Sequence, residues 1–195
     1  MTSEKISLAV EIFKSLHRDQ KRKDNVRPYF VHLEDVARRL IAVGVTDEDV
    51  IVAAYGHDSL EDLPKNPAEF EKLLTELRIM FGFRATDFIL ELTDQFTKKK
   101  HPDKNRATRK QLERERYATF SPGAKLVKLA DIAANLSDTS EVLENGKPEQ
   151  GFNGMFGREK ALCLPYLKDE SDKLNVALYK EAEEILRKHR LEFHY

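Results

Sequence analysis

The sequence predicts an all-α protein, 195 residues folded as one compact domain. Three observations carry that expectation. Apolar residues recur at helical spacing in successive windows. Caps, prolines and glycines punctuate those windows where helices start and stop. No segment alternates as a half-buried strand does.

In order, Ile6, Val10, Phe13 and Leu16 give a first helical stripe. Residues 18 to 27 are polar and basic and read as a loop with mobile cations, closed by Pro28-Tyr29. Val36, Ala37, Leu40, Ile41 and Val43 form a second helix with His32 near its start, and Gly44 is a stop signal. The central helix carries the apolar run Val50-Ile51-Val52-Ala53-Ala54. Thr46 reads as its N-cap, Asp47, Glu48 and Asp49 fill its first turn, and Pro64 ends it. Pro67, Phe70, Leu73, Leu74 and Leu77 mark the next helix, and residues 79 to 83 its end or a short successor. Phe88, Ile89 and Leu92 give another. Residues 97 to 116 form a basic block, first loop and then charged helix. Ser121-Pro122-Gly123 has the form of a helix start, and Leu126, Val127, Leu129, Ala130 and Leu136 make the helix behind it largely buried. Asn145-Gly146-Lys147-Pro148 and residues 151 to 157 read as loop. A short helix over 161 to 167 and an amphipathic one from Leu174 to Leu186 close the chain, the C-terminal helices together covering 158 to 190.

Charge and cysteine content narrow the function. Lys plus Arg is 33 against 34 for Asp plus Glu, a net charge of −1, which argues against a general nucleic-acid coat. No apolar run is long enough to cross a membrane and the N-terminus is no signal peptide, so a soluble, cytoplasmic protein is expected. Cys163 is alone and reads as a core thiol. Nothing in the sequence specifies an oligomer.

The chemistry concentrates in Tyr55-Gly56-His57-Asp58-Ser59-Leu60-Glu61-Asp62, late on the central helix. On a continuous helix His57 and Glu61 share a face, as do Asp58 and Asp62. Buried carboxylates need a partner, and a divalent cation is one. His32, His57, Asp58 and Asp131 form a mixed nitrogen and oxygen set suited to Mn²⁺, Fe²⁺ or another six-coordinate ion. His57 and Asp58 diverge by about 100° on an ideal helix, so an ion shared by both must sit to one side. Glu61 is then placed to orient or deprotonate a water on the metal, and Asp62 to hold Glu61 or a ligand. A plainer reading stands beside this one: His32 as a surface or capping histidine, Asp131 bonded to Lys128 or its helix neighbours, and the basic block as a solvated face.

Arg22-Lys23-Asp24, Pro28-Tyr29, His32, Ala53-Ala54, His57-Asp58, Glu61-Asp62, the run Ser121-Pro122-Gly123-Ala124-Lys125-Leu126-Val127-Lys128-Leu129-Ala130-Asp131, and Asn135-Leu136 follow one another over about residues 6 to 139. In this order they resemble the HD-domain hydrolases of the RelA/SpoT type, above all the stand-alone small alarmone hydrolases. The resemblance implies a helical HD fold and a single hydrolase domain over residues 1–195. It implies one Mn²⁺ per chain and hydrolysis of the 3′-pyrophosphate of ppGpp or pppGpp, alarmones of the stringent response, to GDP or GTP plus pyrophosphate. It also implies His32, His57, Asp58 and Asp131 as metal ligands and Glu61 and Asp62 as the catalytic pair. Arg22, Lys23 and Asn135 fall to the substrate by the same resemblance; Tyr29 is placed with them, and Lys98 is a further cation able to neutralise the pyrophosphate. The chain departs from the pattern in a loop one residue short after Lys23, in Ser137 where the family has Arg, and in Ile132-Ala133-Ala134.

Rival functions remain at this point. One is an HD phosphohydrolase acting on another nucleotide, such as a dNMP or NADPH. A second is a catalytically silent nucleotide sensor, against which the intact ligand and Glu61 positions argue. The third is a nucleic-acid binder using residues 98 to 116, with an affinity that falls steeply with salt.

Overall fold

The computed structural model describes residues 3–144 and 152–188. Eleven helical segments and no strand occur among the described residues. They are α1 (Glu4–Leu16), α2 (Phe30–Ala42), α3 (Glu48–Gly56), α4 (Ser59–Asp62), α5 (Pro67–Phe81), α6 (Phe83–Leu92), α7 (Arg106–Tyr117), α8 (Pro122–Glu144), α9 (Phe152–Ala161), α10 (Leu164–Leu167) and α11 (Lys173–Lys188). No helix among these residues is long and apolar enough to cross a membrane. The chain divides into two compact units, residues 1–95 with 121–127, and residues 96–120 with 128–195.

In the first unit α3 is the axis. Every residue from Val50 to Gly56 is buried, and α1, α2 and α6 pack around it. Its cap is Asp47, one residue after the expected Thr46: the Asp47 carboxylate accepts from the Asp49 amide at 3.1 Å. The shift has an electrostatic reason. Arg84 of α6 donates to Asp47 at 2.8 Å and to Asp49 at 3.0 Å, and Lys5 of α1 also pairs with Asp49. Two cations from flanking helices therefore clamp the N-terminus of α3, and the Arg84 bond holds the Asp47 carboxyl below the usual range.

At its other end α3 has no room. A Cβ on Gly56 would lie 2.5 Å from Phe13 and 2.6 Å from Ile89. In α1 the buried line is Ala9, Phe13 and His17, four residues apart, while Leu16 of the expected stripe is exposed. Gly82, at φ 82°, separates α5 from α6, so residues 79 to 83 divide between two helices. The basic segment 18–27 is more ordered than an open loop. Lys21 and Pro28 form an antiparallel bridge, and Asp24 accepts from the amides of Val26 and Arg27 at 2.8 and 2.9 Å.

In the second unit α7 starts at the Asn105 cap, which accepts from the Thr108 amide, and packs against α10. Residues 152 to 157, expected as loop, belong to α9, and the expected helix over 161 to 167 is the end of α9 followed by the single turn α10. The loop expected at residues 145 to 148 and at 151, and the end of the C-terminal helices at 189 and 190, lie outside the described residues. Cys163 is buried, and its thiol donates to the Glu159 carbonyl.

Candidate active site

The site region forms because α3 does not continue into α4. The helix ends at Gly56, and His57 and Asp58 occupy a turn before α4 starts at Ser59. The Asp58 carbonyl then accepts both the Glu61 amide at 3.2 Å and the Asp62 amide at 2.9 Å. The break removes the divergence expected of helical neighbours: His57 Nε2 lies 3.0 Å from Asp58 Oδ2. α2 brings His32, whose Nε2 is 3.9 Å from the same oxygen. One ligand atom each from His32, His57 and Asp58 fall within 4.8 Å of one another, both imidazoles buried and the carboxylate half-buried.

The donor set fits a cation. His57 Nδ1 lies 2.8 Å from the Ala54 carbonyl, which can only accept, so that nitrogen carries the proton. In a neutral ring Nε2 is an acceptor and would face a second acceptor in Asp58 Oδ2, 3.0 Å away. Two acceptors pressed together in a buried place call for positive charge against them. The carbonyl behind His57 is also the kind of partner that fixes the tautomer of a ligating histidine. Asp58 is held from a further side by Tyr29, whose hydroxyl donates to Oδ2 at 2.5 Å.

The remaining expected residues of the first unit surround this turn. Glu61 is exposed and accepts from the Asp94 amide at 3.2 Å, which fixes its carboxylate from the α6 side. Asp62 accepts from the Gln20 amide at 2.6 Å. Desolvation and then the Asp58 charge push the Asp62 carboxyl above the usual range, while the Gln20 bond draws it back. Arg22 lies over the Tyr29 ring at 5.6 Å, and Lys23 is exposed on the same loop. An open groove of about 410 Å³ lined by Val31, Glu34, Asp35, Arg38, Ile41 and Tyr55 contains none of these groups.

Lys98, Asp131 and Asn135 belong to the second unit. Lys98 is exposed in a turn. Asp131 is buried on α8, where Lys128 donates to it at 3.0 Å, Lys160 at 3.4 Å, and Asn135 to its other oxygen. Asn135 also donates to the Asp131 backbone carbonyl at 3.0 Å. The structure thus groups His32, His57 and Asp58, and gives Asp131 partners within its own unit. Much of the basic block is paired: Arg106 with Glu159, and Arg116 with the buried Glu113.

Sequence reasoning missed His17, Gln20, Ser59 and the Asp94 amide. His17 had a signal, because it continues the Ala9–Phe13 spacing by four and so belongs to the buried face of α1. The Asp94 amide had none, since any residue except proline supplies one.

Known proteins resemble this chain in sequence and in fold. The chain is 37% identical over 142 residues to the guanosine-3′,5′-bis(diphosphate) 3′-pyrophosphohydrolase MESH1 of Homo sapiens, a match covering 72% of each protein. It is 38% identical over 142 residues to MESH1 of Xenopus tropicalis, again with 72% of each covered. A solved structure described as a metazoan ortholog of SpoT that hydrolyses ppGpp and plays a role in starvation responses superposes with a TM-score of 0.77 at 26% identity. The superposition covers 98% of this chain and 99% of that one. The sequence model of the HD domain matches residues 9–150, a span that contains the His57-Asp58 pair and the helices that present it. The chain therefore belongs to the HD-domain family.

Proposed function

We propose that this protein hydrolyses the 3′-pyrophosphate of guanosine alarmones, converting ppGpp or pppGpp to GDP or GTP plus pyrophosphate, as a single metal-dependent HD hydrolase domain. The observation that carries the reading is the convergence of His32, His57 and Asp58 at a break in the central helix, with Glu61 and Asp62 on the next turn. The relatives named for this reaction supply the substrate. His32, His57 and Asp58 would hold the ion, with Asp131 as fourth ligand, and Mn²⁺ at one per chain is the ion proposed. When bound, it supplies Lewis acidity at the phosphoryl group under attack.

The chain's own residues do the rest. Glu61, fixed by the Asp94 amide, takes the proton of the attacking water. Asp62 holds the geometry around it. Tyr29 keeps the Asp58 carboxylate turned towards His57. Arg22 and Lys23, on the loop braced by Asp24, meet the pyrophosphate charge, and Lys98 and Asn135 are assigned to the nucleotide.

Incubation of the purified protein with ppGpp and Mn²⁺, followed by product separation, tests the reading. GDP and pyrophosphate in equal amounts are expected. Two single phosphates in place of pyrophosphate, or turnover of a dNMP or NADPH with ppGpp left intact, would overturn it.

A further inference from the structure

The buried histidine that the reaction above leaves without a task is His17, 1% exposed at the end of α1. Both of its ring nitrogens have side-chain partners: Nδ1 lies 2.6 Å from Gln20 Oε1 and Nε2 lies 3.1 Å from Ser59 Oγ. Its face stacks on Tyr29, with centroids 5.4 Å apart and planes at 21°. Gln20 passes the connection on, its Nε2 donating to Asp62 Oδ2 at 2.6 Å.

These contacts fix which way the Gln20 amide faces. The Asp62 carboxylate accepts, so the amide nitrogen of Gln20 must face it, and the amide oxygen, which has no hydrogen, must face His17. Nδ1 then carries a proton. Burial, the largest influence on the ring, lowers its pKa and favours the neutral form. In that form Nε2 accepts from the Ser59 hydroxyl. The hydrogen bonds therefore run in one direction: Ser59 to His17, His17 to Gln20, Gln20 to Asp62. Chains of this kind polarise each member in turn. A reversed Gln20 amide would set oxygen against carboxylate, so Asp62 fixes the direction of the amide and His17 Nδ1–H meets the oxygen it presents.

We propose that His17 and Gln20 are positioning residues for Asp62: the buried imidazole holds the Gln20 amide oxygen in place, and the amide so held anchors Asp62 Oδ2 and leaves the chemistry to Oδ1. The anchor also offsets the repulsion between Asp62 and Asp58. The same ring stacks on Tyr29, which bonds Asp58, so one histidine braces two residues of the site. This inference rests on the hydrolase reading, within which Asp62 is one of the catalytic pair.

The test is a double-mutant cycle with ppGpp and Mn²⁺. Gln20→Met keeps the length of the side chain and removes both hydrogen bonds. It is expected to lower kcat by about 10- to 100-fold, the cost of one bond to a charged group, with KM, metal content and melting temperature close to wild type. In an Asp62→Ala background the same change should cost nothing further, because its target is gone. His17→Asn, which keeps a donor near Nδ1, should retain more turnover than His17→Leu. A Gln20→Met penalty that persists in Asp62→Ala, or a Gln20→Met variant with wild-type kcat, would overturn the proposal. Wild-type protein that leaves ppGpp intact would overturn the substrate reading instead. The positioning chain is then decided by long-range ¹H–¹⁵N correlation of the imidazoles, with His17→Asn identifying the signal. A neutral ring protonated at Nδ1, whose resonance moves in Asp62→Ala, supports it, and a ring protonated at Nε2 alone overturns it.

Discussion

At Glu61 one substitution can separate the proposed catalytic role from stability. Its carboxylate accepts from the Asp94 amide, and a glutamine in its place keeps an oxygen able to do the same. Glu61→Gln therefore preserves the position of the side chain and removes its charge and basicity. Metal content and melting temperature should stay near wild type while turnover falls by about 10²- to 10⁴-fold, the range for lost general-base help. Measuring all three on one preparation decides the role. Lost metal would make Glu61 a ligand, and full turnover would end its catalytic assignment. Asp24 is a residue whose protonation has a readable consequence. The Arg27 side chain, helped by the Val26 and Arg27 amides, holds its carboxyl at about 2. A carboxyl lowered on folding contributes stability above its unfolded value, about 3.9, and loses that contribution as pH falls through the folded value. The loop bearing Arg22 and Lys23 should therefore stay ordered at pH 4 and loosen towards pH 2, read as a lower protection factor of the Val26 amide relative to its intrinsic exchange rate at each pH. Asp24→Asn should show fast exchange already at neutral pH.

At the scale of elements, α3 places the site by being packed without slack. Gly56, the last residue before the His57 turn, sits where any Cβ would strike Phe13 of α1 and Ile89 of α6. Gly56→Ala must push these helices apart or bend α3, and overpacking of this kind costs about 1–3 kcal/mol. A lower chemical-denaturation midpoint with an unchanged m-value is expected, and weaker metal binding with it, because His57 moves with the end of α3. A midpoint equal to wild type would show that the helices adapt. The same tight packing explains why the acidic turn sits where it does. α3 is buried from Val50 to Gly56, so its chemistry lies where the helix breaks and Asp58 and Glu61 reach towards the surface.

For the whole molecule, the decisive property is coupling between metal and fold. An ion that binds only the folded chain raises the melting temperature with concentration. Mn²⁺ is expected to do so for the wild type, and a chelator to reverse it. His57→Ala should abolish the shift, and Asp131→Ala should reduce it together with the metal content. An unchanged metal content in Asp131→Ala would remove Asp131 from the ligand set and leave it as the partner of Lys128 and Lys160.

Sequence alone determined the all-helical class and the buried run Val50 to Ala54, and it named His32, His57, Asp58 and Asp131 as candidate ligands, three of which lie within 4.8 Å of one another. These are properties of residue type and spacing, which period and ligand chemistry make legible without coordinates. Tertiary structure decided what depends on neighbours. The cap moved from Thr46 to Asp47 because Arg84 and Lys5 come from other helices. The helix broke at His57, bringing adjacent side chains within 3.0 Å where a continuous helix would separate them. His17 and Gln20 joined Asp62 from more than 40 residues away in the chain, through hydrogen bonds that no local pattern encodes. Periodicity records which face of a helix is buried, whereas the partner that a buried polar atom finds is set only once the helices have packed.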